Sequence, residues 1–230
     1  MKWLPFFMFL ITFTMMAESD FEKAEKLFML EKFDQAKILF ENILKSNPKN
    51  LKSIEYLGDI AGHQKKWDEA ITYYLLLKDY NPKSAVYWYK YGGALGMKAK
   101  SVNKFKALGM IDEIETSFKT AAKLDPKHTD TRWALLILYV ELPGIIGGSE
   151  KKAQKYADEL MLISKIDGVM AKGHIEEYFK RYETAEKYYL QGIAITHSKT
   201  AYQRLINLYA KTKQTNKEKK AKEDSAKFNK

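Results

Sequence analysis

The sequence predicts an all-α chain in which antiparallel helix pairs stack side by side into a solenoid. Three observations carry that expectation. Small residues, aromatics and prolines recur at one interval: Ala36 and Ala70, Phe40 and Tyr74, and Pro48 and Pro82 each stand 34 residues apart. Apolar residues fill 46% of 230 positions, enough to fold rather than stay disordered. Only 12 glycines and 5 prolines interrupt a chain rich in Leu, Ala, Lys and Glu, which favours helix over strand.

The chain begins in a different register. "MKWLPFFMFLITFTMMA" carries Lys2, then an uncharged run from Trp3 to Ala17, before charge resumes at Glu18. A spanning helix needs about 20 apolar residues, and this run is shorter. A basic residue, a short apolar core and a small residue before a polar chain describe a secretory signal over 1–17, cut after Ala17. The alternative is an uncleaved anchor. The expected location is therefore outside the cytoplasm, in a bacterial periplasm or envelope.

Composition narrows the chemistry. Cysteine is absent, which removes disulfides, cysteine zinc sites, thiol nucleophiles and a cysteine-linked lipid. The net charge is +10, but Lys211 to Lys230 holds eight lysines against three acids, so half of the excess is local. That stretch has no arginine for bidentate phosphate contacts, and nucleic acid is not an expected partner.

The first two units span 18–50 and 51–84. "YLGDIAGHQKKWDEAITYYLLLKDYNP" puts Leu57, Gly58 and Ala61 on one helical face, then a polar turn, then Ala70, Tyr74 and Leu77 on a second. Small residues let two helices approach, and the aromatic fills the space beside them. Asn81 and Pro82 end the second helix, because proline cannot donate to the helical ladder and restricts its predecessor. Each pair leaves an apolar flank that only the next pair covers.

These residues resemble the tetratricopeptide repeats, most closely over 18–97 and again at "YETAEKYYLQGI" with Ala185 and Tyr189. The resemblance implies a right-handed superhelix of about five repeats and a C-terminal capping helix. It also implies a concave groove, lined by the first helix of each unit, that holds extended peptides. On that alignment Glu25, Glu55 and Asp59 face the groove near its start, with Tyr89 and Trp133 further on. The expected groove is acidic at one end and aromatic in the middle, suited to a basic or aromatic segment. Acids stand where the carboxylate-clamping members carry lysine and asparagine.

The third and fourth units depart from the period. Pro82 to Pro126 is 44 residues, and the excess lies at 98–110, between the helices of the unit spanning 85–128. The fourth unit, 129–165, contains "LPGIIGGSEKKA", whose glycine loop at 142–149 also falls inside a pair. Pro143 stops a helix, Gly144, Gly147 and Gly148 permit conformations closed to other residues, and Ser149 can cap the next helix. A phosphate loop would need Gly-Lys-Ser/Thr entered from a strand, and neither is present. This pair of insertions is similar to that in a group of bacterial exported repeat proteins with a PGIIGGS-type loop. Turns inside successive pairs share one edge, so 98–110 is expected either to fold against 142–149 as a basic lip, with Lys98, Lys100, Lys104 and Lys106, or to prolong the first helix through 107. A fifth unit covers 166–199, and 200–230 is expected to be the capping helix with a lysine-rich tail.

No catalytic constellation emerges. His63, His128, His174 and His197 are isolated, "HIEEY" lacks the second histidine of a metalloprotease helix, and no nucleophile elbow or dinucleotide fingerprint occurs. No metal or cofactor is expected. The expectation is a non-catalytic scaffold or peptide-binding module with a protein partner. The alternative is an envelope assembly factor that keeps its N-terminal anchor and touches the membrane through it.

Overall fold

The structure, a computed structural model, describes residues 19–228, so the expected signal segment at 1–17 lies outside the described residues. Helices follow one another as α1 (Asp20–Met29) and α2 (Phe33–Ser46), α3 (Leu51–His63) and α4 (Trp67–Tyr80), then α5 (Ala85–Ser101), the short α6 (Lys104–Leu108) and α7 (Ile111–Leu124). They continue as α8 (Thr129–Glu141) and α9 (Glu150–Ile163), α10 (Lys165–Tyr178) and α11 (Tyr182–Thr196), and α12 (Lys199–Lys211) and α13 (Thr215–Phe228). No strand occurs among the described residues. Each second helix packs on its own first helix and the next first helix packs on it, which is a helical solenoid of the tetratricopeptide type.

Side chains start the first helices. Ser19 and Glu22 form a reciprocal capping box on α1, Asn50 accepts from the Ser53 amide at 2.9 Å, and Ser84, Ser164 and Ser198 cap α5, α10 and α12 in the same way. Turns inside the regular pairs pass through a left-handed residue, with φ of 56° at Glu31, 58° at Lys65, 61° at Lys180 and 58° at Lys213. At the second of these, Lys65 and Lys66 donate their amides to Gly62 and Ala61 at 3.0 and 2.8 Å, which satisfies the end of α3 and reverses the chain within three residues.

The pairs close through one repeated fit. Ala36, Ala70, Ala121, Ala153 and Ala185 are all 0% exposed where the second helices cross the first. A large ring then lies over a glycine. A Cβ at Gly58 would sit 2.5 Å from Tyr74 Cε1, one at Gly173 would sit 2.5 Å from Tyr189 Cε1, and one at Gly92 would sit 2.9 Å from Ser117 and 3.0 Å from Phe118. Tyr74 donates its hydroxyl to Asp59 at 2.6 Å and Tyr189 to Glu177 at 2.8 Å, so each ring is buried and its polar tip satisfied. The aromatic run in α5 is absorbed by packing too. Tyr91 is buried, Tyr87 and Tyr89 lie half-buried on the core, and Trp88 donates to the Pro82 carbonyl at 2.8 Å with Lys78 over its ring.

Ion pairs about one unit apart join the stack laterally. Lys90 reaches Asp59 at 2.7 Å and Glu55 at 2.9 Å, Lys211 reaches Glu177 at 3.0 Å, and Lys217 reaches Glu186 at 2.9 Å. Lys37 with Glu69 and Arg181 with Glu150 repeat the pattern. Partly exposed pairs contribute about 0.2–1 kcal/mol each, so they set register while burial supplies stability.

Two segments differ from expectation. The stretch at 98–110 neither prolongs α5 to 107 nor forms one lip: α5 runs to Ser101, Val102 turns extended, and the Asn103 side chain accepts from the Lys106 amide to start α6. Asn103 competes for helix-terminal amides where a helix former would have continued the rod. At the other end, 199–228 is a sixth helix pair rather than a capping helix with a loose tail. The lysine-rich sequence is α13 itself, held by buried Ala221 and by the Lys217–Glu186 bridge, with its other lysines turned to solvent.

The ring-over-glycine fit predicts the effect of one methyl group. Gly58→Ala places its Cβ inside the Tyr74 ring and costs about 1–3 kcal/mol, read as a fall of several degrees in the circular-dichroism melting temperature. Gly93→Ala, beside which an added Cβ meets nothing, leaves that temperature unchanged or raises it.

Candidate functional site

The glycine loop is a turn closed by backbone hydrogen bonds. Pro143 is followed by a single 3₁₀ turn, Gly144–Ile146, and Gly147 takes φ 103°, which a side chain would resist. The amides that would hold an anion already have acceptors: Gly147 donates to Gly144 at 3.3 Å, Gly148 to Pro143 at 3.1 Å and Ser149 to Tyr139 at 2.9 Å. Gly148 has no room for a Cβ, which would stand 1.7 Å from the Leu142 carbonyl oxygen. The Ser149 hydroxyl accepts from the Lys152 amide at 3.2 Å and caps α9. Backbone approach explains the glycines, and no phosphate cradle is left over.

The lysines expected to form a lip point in different directions. Lys98 pairs with Asp68 of the second unit, and Lys100 pairs with Glu141 at 2.7 Å, just before the glycine loop. Lys104 and Lys106 stand exposed on α6. The Lys100–Glu141 bridge joins the last turn of α5 to the end of α8, one residue before the glycine loop.

The acidic start of the groove is neutralised from within. Lys90 sits between Glu55 and Asp59, and Lys52 adds a second cation to Glu55 at 3.1 Å. Burial works to raise the Glu55 pKa, but hydrogen bonds and charge from Lys90 and Lys52 outweigh it and hold the carboxyl below its usual range. Glu25 accepts from the Tyr56 hydroxyl at 2.8 Å, and burial together with Glu25 pushes that phenol up to about 12. These acids join neighbouring units. The carboxylates of Glu25, Glu55 and Asp59 each bond to a side chain of the next unit. Tyr89 is likewise half-buried, tilted against His128 with ring centroids 5.2 Å apart.

Trp133 stands apart from the other expected residues. It walls a cavity of about 300 Å³ lined from three successive first helices: α8 supplies Trp133, α10 supplies Ile166, Asp167 and Met170, and α12 with its cap supplies Thr200 and Arg204. The Trp133 indole donates to Asp167 Oδ1 at 3.0 Å, fixing both side chains across the unit boundary. Met170 gives an apolar, adaptable floor. Arg204 is half-buried and makes no hydrogen bond or ion pair with the described residues. The chain's other two arginines have hydrogen-bond and ion-pair partners. Arg132 donates to the carbonyls of Asp125, His128 and Ala122, and Arg181 binds Glu176 and Glu150.

The cavity brings together a guanidinium without a hydrogen-bond or ion-pair partner among the described residues, an indole, a carboxylate and hydroxyls. Arg204 can take a carboxylate through two parallel N–H donors. Asp167 Oδ2 is open to a backbone amide, and Trp133 offers a flat apolar wall. Sequence reading reached Trp133 but missed Asp167 and Arg204. The available signal was register: Asp167 lies 34 residues after Trp133, on the same face of the next first helix.

His174 lies behind this cavity, its ring 6.4 Å from Trp133. Burial lowers its pKa, Arg204 and Lys211 add to that, and Glu177 and Glu141 oppose it. The unfolded chain then binds a proton at the ordinary histidine value while the folded chain resists it. Stability from this residue is complete above that ordinary value and is lost as pH falls below it. The fall in melting temperature between about pH 7.5 and 5.5 is smaller in His174→Gln than in the parent.

No family model and no curated protein matches the chain. Solved structures do. A tetratricopeptide repeat protein of Thermus thermophilus, TTC0263, superposes with TM-score 0.67 at 15% identity over 83% of this chain and 97% of that one. PilF of Pseudomonas aeruginosa gives 0.62 at 12% identity, covering 91% of this chain and 95% of its own. YrrB, described as a tetratricopeptide protein with an unusual peptide-binding site, gives 0.54 at 13% identity over 79% and 87%. At these identities the likeness establishes the fold: this chain is built as a tetratricopeptide-repeat solenoid.

Proposed function

We propose that the chain is an exported, non-catalytic binding module that takes an extended, acid-bearing segment of a partner protein into the trough between α8, α10 and α12. The observation that carries the reading is Arg204, a half-buried cation with no internal partner in a cavity walled by Trp133. Because Asp167 is already fixed by the indole, the site is preformed, and binding costs the protein little ordering. The peptide-binding site named for YrrB supports this class of role by likeness of fold alone. A carboxylate ligand replaces the basic or aromatic segment expected from sequence, since Glu55 and Asp59 already have lysines and Glu25 accepts from Tyr56.

The test uses a peptide selected on the full chain by display. Arg204→Ala weakens that peptide roughly tenfold or more, the range of a lost charge-assisted bond. Trp133→Ala weakens it similarly, while Asp59→Ala lowers stability and leaves affinity unchanged. A selected peptide indifferent to both Arg204 and Trp133 would contradict the site.

Export rests on the sequence, through the uncharged run from Trp3 to Ala17 ahead of a polar chain. The same run favours a second reading, in which it persists as an anchor of an envelope assembly factor. N-terminal sequencing of the native protein is expected to begin at Glu18. A start at Met1 would favour the anchored form.

A further inference from the structure

Turns inside the pairs share one edge of the stack, and the two enlarged ones carry its most exposed apolar side chains. Phe105, on α6, is 88% exposed, and Ile145, at the tip of the glycine loop, is 96% exposed. Looseness does not account for this. Met110 packs on the core beside half-buried Ala107, and the glycine loop is held by backbone hydrogen bonds from Ile146, Gly147, Gly148 and Ser149. The short helix therefore has an inner side, and Phe105 is not on it. The Lys100–Glu141 bridge at 2.7 Å holds the two units carrying these tips together. Leu30 and Phe179 stand exposed in other turns of the same edge.

Charge on this edge leans basic. Several acids near it are engaged internally, Asp68 by Lys98, Glu141 by Lys100, Glu150 by Arg181 and Glu113 by the Tyr91 hydroxyl, while Glu31, Asp112 and Glu183 have no ion pair among the described residues. Lys65, Lys66, Lys104 and Lys106 have no ion pair among the described residues. Lys65 and Lys66 line a cleft of about 590 Å³ with Trp67, Lys98 and Ser101, next to the end of α5 that leads into α6, and its two carboxylates, Asp68 and Glu69, are paired with Lys98 and Lys37. A protein hot spot is contiguous, pocketed and poor in lysine. Here single apolar tips project from separate turns, surrounded by free lysines on long apolar stems, and an indole lies at the level of the cleft. That is the chemistry of an interfacial contact with anionic lipid.

We propose that this edge docks on an anionic bilayer surface, with Phe105 and Ile145 entering the interfacial layer and Lys65, Lys66, Lys104 and Lys106 meeting headgroup phosphates. The contact is peripheral, because no helix of the described residues is long and apolar enough to cross a membrane. It leaves the trough around Arg204 open, and it does not depend on the peptide reading.

The absence of cysteine allows a site-resolved test on the full chain. A polarity-sensitive dye is attached at Leu108→Cys on α6, or at Lys83→Cys in a proline turn of the opposite edge. Each protein is mixed with phosphatidylcholine vesicles, with or without about 30% phosphatidylglycerol. The proposal expects a blue shift at position 108 on anionic vesicles, little shift at 83, and loss of the effect in about 0.5 M salt. It also expects the combined Phe105→Ser and Ile145→Ser substitution to lower vesicle partition about tenfold, with the helical melt unchanged. Both sites are solvent-exposed, so misfolding is not the expected cause of loss. Absence of vesicle binding overturns the proposal. Binding without a shift at 108, or undiminished by the double substitution, also overturns it and assigns membrane contact to the N-terminal segment. A protein partner that needs Phe105 and Ile145 while vesicles do not bind replaces it with a protein interface.

Discussion

Three of the six helix pairs are closed by a ring lying over a glycine, and the stack depends on that close approach. Tyr74 on Gly58, Phe118 on Gly92 and Tyr189 on Gly173 bring two helices closer than any side chain on the first would allow. That approach buries the alanines at the crossing and leaves each pair with a flat apolar flank. A pair has no other way to hide that flank than to meet the next pair, so local fit becomes a one-dimensional stack. The chain achieves this without a disulfide, since it has no cysteine.

Polar groups then divide into those that join units and those left for a partner. Lys90 with Glu55 and Asp59, Lys217 with Glu186 and Arg181 with Glu150 are joints, and their charges are largely cancelled where they sit. Arg132, 5% exposed, is bonded to three carbonyls and acts as a strut. Against that background Arg204 is distinctive because it has no hydrogen bond or ion pair among the described residues. The same contrast holds on the edge of the stack, where Asp68 and Glu141 are matched internally and Lys104 and Lys106 have no ion pair among the described residues. Charge alone would not separate these cases. Pairing does.

Much of the fold was legible because it is written in spacing. The small residues, rings and prolines recur at the period the helices need, and Tyr74 and Tyr189 are buried where the pattern puts them. The glycine turn was also legible as a turn, because the lysine and strand of a phosphate loop are missing. What escaped was whatever depends on a third unit. Glu55 and Asp59 read as groove acids until Lys90, about one unit on, is seen between them. Val102 and Asn103 break a segment of good helix formers, and one asparagine cap outweighs their propensity. The lysine-rich end looked like a tail because its helix has a single buried position, Ala221, too little to show as periodicity.

The site was legible in one residue of three. Trp133 announces itself as an aromatic on a first helix, whereas Asp167 and Arg204 are ordinary charges until packing brings them round one cavity. The central claim is that packing alone makes this trough before any partner arrives. Amide hydrogen exchange of the unliganded full chain tests it most directly. The account predicts strong protection in α8, α10 and α12 and little further protection when a peptide binds. Exchange in those helices at the rate of an unstructured chain, slowed only by a partner, would contradict it.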